Sequence, residues 1–245
     1  MKGWIAFWSI LRKDIGAYYL KPPNISWGLI FPLAWIGMFA IRSGKGIENM
    51  RELLPGLIAL SILFGSTSLL AVTVTFEKKG RSFERLLLAP IPLELLMLAK
   101  TTGALLFGIL NALVPLLIAA FLVGLCNVAW HILIPAVCMI AISTTFLGLF
   151  IAVSVNEVFE AQTFSNFFRF PMLFLCGLFV PVADLPAFLT PLAYALPLTY
   201  GTDLLHTAVN QNGLMPLELD FFLLALFCVA LFLGSLHNVR RKWIS

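Results

Sequence analysis

Long apolar runs, each broken by a short polar stretch, set the rhythm of this chain. The runs fall at about residues 24–41, 53–76, 101–125, 132–153, 164–180 and 217–237. Each is close to the ~20 apolar residues that a helix needs to cross a bilayer. Six membrane-spanning helices are therefore predicted. The residues ahead of the first run have a different pattern. Trp4, Phe7, Trp8, Leu11, Ile15 and Tyr18 recur at helical spacing, with Lys2, Arg12 and Lys13 beside them. That pattern fits a helix lying in the membrane interface, with rings at headgroup level and cations towards anionic lipid. A plain cytoplasmic tail is the alternative. Lys21-Pro22-Pro23 ends the segment, because proline disfavours helix in the residue before it and cannot donate a backbone hydrogen bond.

The polar stretch after the second run is the densest in the chain: Phe76-Glu77-Lys78-Lys79-Gly80-Arg81-Ser82-Phe83-Glu84-Arg85-Leu86-Leu87-Leu88-Ala89-Pro90. A loop needs charge to stop and orient a span, but it does not need this order of residues. Cations give way to an apolar face of Phe83, Leu86 and Leu87, and then to proline. A short amphipathic helix at the cytoplasmic surface, offered to a soluble partner, is the expectation.

The region 181–216 is apolar enough for a seventh span, but Pro186, Pro191 and Pro197 interrupt it. The expectation is a pair of short helices that dip into the outer leaflet and return. Asp184 would cap the first, with Pro186 in its first turn, and the second would run over 198–209. Backbone of this kind is allowed at membrane depth only where protein or a water-filled cavity covers it. The segment is thus a candidate lid or gate. Prolines inside the spans (Pro32, Pro55, Pro115, Pro135, Pro171) add possible kink points.

Composition agrees with a membrane location. Hydrophobic residues make up 60% of the chain and charged ones 11%, leaving no stretch for an ordinary soluble domain. The start of the chain does not read as a cleavable signal, since Trp4–Ile10 is followed by Arg12, Lys13 and Asp14 rather than by small residues. One polytopic domain is expected over 1–245: interfacial helix 1–23, five spans in 24–180, an outer re-entrant segment 181–216, and a last span with its tail in 217–245. The fold class is an all-α membrane protein.

Charge sets the orientation. Of sixteen Lys and Arg, twelve fall on one side of this topology: Lys2, Arg12, Lys13, Lys21, Lys78, Lys79, Arg81, Arg85, Lys100, Arg240, Arg241 and Lys242. Arg42, Lys45 and Arg51 fall on the other. By the positive-inside rule both termini are cytoplasmic. This distribution, rather than the net charge of +4, argues against a nucleic-acid partner.

Catalytic chemistry is not visible. The chain has no G-x-x-x-x-G-K-[ST] phosphate loop, no H-E-x-x-H and no G-x-S-x-G. His131, His206 and His237 lie far apart, and the four cysteines (Cys126, Cys138, Cys176, Cys228) read as small buried hydrophobes. No cofactor, metal site or enzymatic activity is expected of this chain. Arg169 is the clearest ionisable residue inside a span, where it costs about 2.5–3.5 kcal/mol at mid-bilayer. It sits roughly 8 Å deep, so it either snorkels to lipid phosphate or lines the inner mouth of a pathway. Asp203 and His206 share a face of the second short outer helix, as a polar contact in the gate or as its wet side. Glu218 and Asp220, at the outer end of the last span, are expected to face water. Glu157 and Glu160 occupy an inner turn, where they either meet a partner or are simply solvated. Mid-span carboxylates of a proton relay are absent, which points to an energy source outside the chain.

Three segments together resemble the membrane subunits of type 2 ABC exporters over nearly the whole length. They are Leu11-Arg12-Lys13-Asp14 to Phe31-Pro32; Glu77 to Pro90, similar to an E-(x)6-E-x-L-x-x-x-P signature; and Pro171–Tyr200 with Phe179-Val180-Pro181, Leu185-Pro186 and Pro197-Leu198-Thr199-Tyr200. Two positions depart from the family pattern. Arg81 stands where glycine is common, and Leu196 where asparagine is. The resemblance implies two permease copies, as a homodimer or a heterodimer, forming the pathway in a prokaryotic plasma membrane. Separate ATPase subunits would carry ATP and Mg and dock beneath. It implies that Glu77, Phe83, Glu84, Arg85 and Leu87 form the coupling element, with Phe83 and Leu87 as apolar anchors. Arg169, Asp203 and His206 would belong to the pathway or gate. A stand-alone secondary transporter or channel is the competing reading. The cargo is not legible.

Overall fold

In the computed structural model, residues 2–21, 30, 34, 37–38, 50–122, 124, 127–178 and 180–241 are described. The predicted first span and the outer loop at 42–49 lie almost wholly outside them, as do Phe31-Pro32, Arg42, Lys45 and Cys126.

The described residues are helical throughout, with no strand among them. Helix α1, Lys2–Asp14, continues as a π-helical turn over Ile15–Tyr19. Then come α2, Met50–Lys79; α3, Ser82–Leu87; α4, Leu93–Leu122; α5, Trp130–Ser154; and α6, Val158–Leu175. A 3-10 turn at Val182–Asp184 precedes α7, Thr190–Tyr194, α8, Pro197–Asn210, and α9, Leu217–Val239.

Among the described residues four helices are long and apolar enough to cross a membrane: 51–79 within α2, then α4, α5 and α9. They correspond to the predicted runs at 53–76, 101–125, 132–153 and 217–237. The run at 164–180 differs. Its helix α6 begins six residues earlier, at Val158, and stops at Leu175. Gly177 follows with φ +77°, a backbone conformation that glycine adopts at little cost. Pro55, Pro115, Pro135 and Pro171 all lie within continuous helices.

At 30 residues each, α2 and α4 are about 45 Å long, against a hydrocarbon core of about 30 Å. Their excess length carries the charged stretch and its neighbours clear of the apolar layer. Helix α2 is the hub and packs on α4, α5, α6 and α8. Where α2 crosses α5, small residues let the backbones close. Ser66 Oγ lies 2.7 Å from Thr144 Oγ1, and Thr67 Oγ1 donates to the Thr144 carbonyl at 3.2 Å. A β-carbon on Gly148 would sit 2.5 Å from the Thr67 carbonyl oxygen. Small residues and short side-chain bonds are the usual means of joining helices in lipid, where apolar burial gives no advantage.

Outward faces match a lipid environment. Leu106, Leu110, Leu113, Leu117 and Phe121 make one exposed stripe along α4, and Phe222, Leu226, Val229 and Leu233 another along α9. On α1, Trp4, Ile5 and Trp8 are exposed while Ile10 and Leu11 are buried. Trp4 stacks on Phe7 at 5.7 Å between ring centroids.

The region after α6 forms two short helices, as the prolines suggested, but Asp184 does not cap the first. It closes the 3-10 turn, and α7 starts at Thr190 with Pro191 in its first turn. Proline at that position is tolerated because its missing N–H would have had no partner there. Helix α8, expected over 198–209, covers Pro197–Asn210. Leu196 at its N-cap offers no side-chain acceptor, a consequence of its replacing asparagine.

Candidate functional site

Two places concentrate polar side chains: a joint on the positively charged side, where α1, α2, α3 and α4 meet, and a cavity at the opposite end around α8 and α9.

At the joint, α2 runs to Lys79 and the chain turns through Gly80 and Arg81. Arg81 holds φ +55°, the left-handed region that explains why glycine is common at this place. Ser82 Oγ donates to the Glu77 carbonyl at 3.2 Å and ties α3 to the end of α2. Phe83, expected to be an anchor for a partner, is 1% exposed and packs in this chain's own core with Leu96 and Met97. From there it fastens α3 to the bundle. Leu87 is half-buried, whereas Arg81, Arg85 and Leu88 are exposed. The amphipathic pattern was legible; the face turned inward was the one carrying the aromatic ring.

Glu77 also turns inward. Its carboxylate is buried and sits in a cluster of four charges. Lys13 Nζ donates to Glu77 Oε1 at 2.6 Å. Lys100 Nζ bonds the other oxygen of Glu77 and lies 2.9 Å from Asp14 Oδ2. Asp14, Glu77 and Lys100 are 1% or less exposed, and Lys13 is 45% exposed. Two cations and two anions balance, as burial of charge demands. Burial pushes the Asp14 carboxyl above the usual carboxylate range, against the pull of Lys100. Burial draws the Lys13 ammonium down, but the hydrogen bond and charge of Glu77 carry it above its usual value. The cluster thus locks α1 to α2 and α4 at the end of the bundle that carries the charged stretch.

The sequence reading missed Asp14 and Lys100 as partners. Lys100 follows Leu96 and Met97, both buried, at spacings of four and three, and that shared face was the available signal.

Other contacts brace the joint. Lys79 pairs with Glu157 at 2.9 Å, and Lys78 Nζ donates to Asn156 Oδ1 at 2.9 Å. Glu160 Oε2 accepts the N–H groups of Asn156 and Glu157 at 3.0 and 3.2 Å, so it caps α6. Arg240 pairs with Glu94, tying α9 to α4.

Arg169 does not reach the outer surface of the bundle. It is 3% exposed and donates from Nη2 to the Phe64 carbonyl at 2.9 Å, with its guanidinium 4.6 Å from the Phe64 ring centroid. It reaches inward to α2 rather than outward to lipid phosphate. Carbonyl lone pairs and an aromatic face meet one end of this buried cation, while its Nε has no hydrogen-bond partner among the described residues.

At the opposite end, Gly177, Tyr194, Asp203, His206, Met215 and Asp220 are among the residues lining a cavity of about 120 Å³. Asp203 is not on a wet helix face: it is 8% exposed. Its carboxylate accepts the N–H groups of Leu214 at 2.8 Å and Met215 at 2.9 Å, holding the turn between α8 and α9. His206 is engaged separately, with Nε2 3.3 Å from the Gly177 carbonyl oxygen and Nδ1 3.3 Å from Asn210 Nδ2. Asp220, expected to face water, is fully buried, and neither carboxylate oxygen has a hydrogen-bond partner. Periodicity missed it because Asp220 opens α9 on the side packed against α8.

Among the described residues no group of three or more His, Cys, Asp or Glu has metal-binding geometry. A helical bundle with several bilayer-length apolar helices, lipid-like outer stripes and a charged joint at one end defines a multi-pass membrane protein. The description "ABC-2 type transporter" matches residues 5–209. The chain belongs to this family and is a transport permease. It is 25% identical to the "Inner membrane transport permease YadH" of Escherichia coli strain K12 over 246 residues, spanning 97% of this chain and 96% of that protein. It is also 25% identical to "Nodulation protein J" of Sinorhizobium fredii, over 99% of this chain and 94% of that protein. The Bradyrhizobium diazoefficiens "Nodulation protein J" is 24% identical over 98% and 91%.

Proposed function

We propose that this chain is the membrane subunit of an ATP-driven exporter, working as a pair of permease copies driven by separate ATPase subunits in a prokaryotic plasma membrane. The observation that carries the coupling reading is the placement of α3. It is a single short helix at the end of the long α2, pinned from within by Phe83, and it turns Arg85 and Leu88 outward.

A push on such an element has a stiff path into the bundle. Helix α2 touches four other helices, and the Asp14–Lys100–Glu77 cluster binds α1 to the same corner. ATP bound by the partner would favour one arrangement through differential contacts, as any driven switch requires. Glu84 and Arg85 are assigned the polar contacts to the ATPase, and Leu87 and Leu88 the apolar ones. Glu77 and Phe83 act through the joint. The positive-inside distribution of Lys and Arg supports both termini being cytoplasmic. Export, rather than import, follows the family resemblance.

The test is co-purification. The chain is expressed with a neighbouring ATPase gene, extracted in mild detergent and compared with the Glu84→Ala/Arg85→Ala variant. The wild type is expected to retain the ATPase and its activity. The variant should remain inserted and folded but lose the ATPase. A variant that keeps complex stability and transport unchanged would overturn the coupling role.

A further inference from the structure

The cavity beside α8 holds an electrostatic imbalance that the permease reading does not use. The Asp203 carboxylate is engaged by the backbone N–H groups of Leu214 and Met215. Asp220 lines the same cavity with no relative exposure and two unpartnered oxygens. Among the described residues no lysine or arginine lines the space. Buried carboxyl oxygens without a partner are costly, and the large majority of such groups in folded proteins have one. The hydroxyl and imidazole groups nearby are spent elsewhere. Tyr200 OH donates to the Tyr194 carbonyl at 2.7 Å, Thr199 Oγ1 donates to the Ala193 carbonyl, and Thr202 Oγ1 donates to the Cys176 carbonyl. His206 faces Gly177 and Asn210.

We infer that this cavity is a binding site for one compact cation, held by the Asp220 carboxylate and facing Asp203. The space suits it: about 120 Å³ takes an ion with part of its water shell, or a small ammonium head. Hard oxygen donors select hard cations or N–H donors. Occupancy would join α9 to α8 and to the 211–216 turn that Asp203 holds, so the cation would brace the outer end of the last span. The inference does not depend on ATPase coupling, and its failure would leave that reading untouched.

The probes are sodium, potassium, magnesium, calcium and methylammonium chlorides, with choline chloride at matched ionic strength as the bulky control. The purified full-length chain in mild detergent is titrated calorimetrically with each, and its thermal unfolding is followed alongside. At least one compact cation is expected to bind and to raise the melting temperature above the choline control. Asp220→Asn should weaken that binding by at least about tenfold. Glu218→Gln, two residues away and exposed, should not change it. The inorganic and methylammonium arms separate a free ion from the ammonium head of a larger solute. Flat titrations for every probe in the wild type overturn the inference without reference to any variant. So does a response that survives Asp220→Asn or disappears in Glu218→Gln. A melting temperature that follows pH alone overturns it too, by making the occupant a proton.

Discussion

Replacing Lys100 by methionine keeps an unbranched side chain of similar length and removes one charge from the joint. Lys100 is 1% exposed, as is Asp14, and Glu77 is fully buried, so water does not reach in to compensate. Breaking a buried ion pair by removing one partner costs about 3–5 kcal/mol, because the remaining charge is left uncompensated. Lys13 moderates this. It already lies 2.6 Å from Glu77 and 3.8 Å from Asp14, but it is 45% exposed, and such pairs contribute only about 0–1 kcal/mol. The expected loss is therefore about 3 kcal/mol, a large share of the 5–15 kcal/mol typical of a folded domain. Unfolding of the purified chain in mixed micelles, titrated with denaturing detergent, reads that loss. Limited proteolysis near Lys13 reads whether α1 is the part released. Adding Asp14→Asn restores the charge balance, leaving Lys13 with Glu77, and should recover at least about 0.5 kcal/mol relative to additivity. A Lys100→Met variant within about 0.5 kcal/mol of the wild type, the range of an ordinary surface change, would refute the reasoning. So would a double variant whose loss is the plain sum of the singles.

Two further outcomes follow from backbone geometry. Arg81→Gly should stabilise the chain by about 1 kcal/mol, because φ +55° strains any residue with a β-carbon; a lower midpoint in the same titration would contradict it. Gly148→Ala should cost about 1–3 kcal/mol, because the new methyl would meet the Thr67 backbone, which cannot rotate aside. A neutral result there would mean that α2 and α5 are not packed as closely as described.

Much of the bundle was legible because bilayer thickness is a length rule that a run of apolar residues satisfies or fails by itself. Helices α2, α4, α5 and α9 follow from that rule, and the prolines between 181 and 216 announced short helices in place of a span. The Arg81 departure also had a visible cause, since a position that favours glycine is commonly one of positive φ. The inward or outward direction of each polar side chain was not legible. Phe83 and Glu77 look like offerings to a partner in a list of residues, yet both point into the bundle. Arg169 was read against lipid and pathway, and its acceptors proved to be the Leu63 and Phe64 carbonyls, more than a hundred positions away.

The sequence by itself determined that the chain crosses a membrane several times, and where a short amphipathic helix interrupts the long apolar runs. Those properties depend on neighbours a few residues apart, through hydrophobic length, local charge and helical spacing. Tertiary structure alone decided that Asp14, Glu77 and Lys100 neutralise one another, and that Asp203 binds a turn while Asp220 is left facing a cavity. Lys100 is 86 positions from Asp14 and 23 from Glu77. Whether a buried charge meets its counter-charge is set by which helices pack together, and no local pattern encodes that.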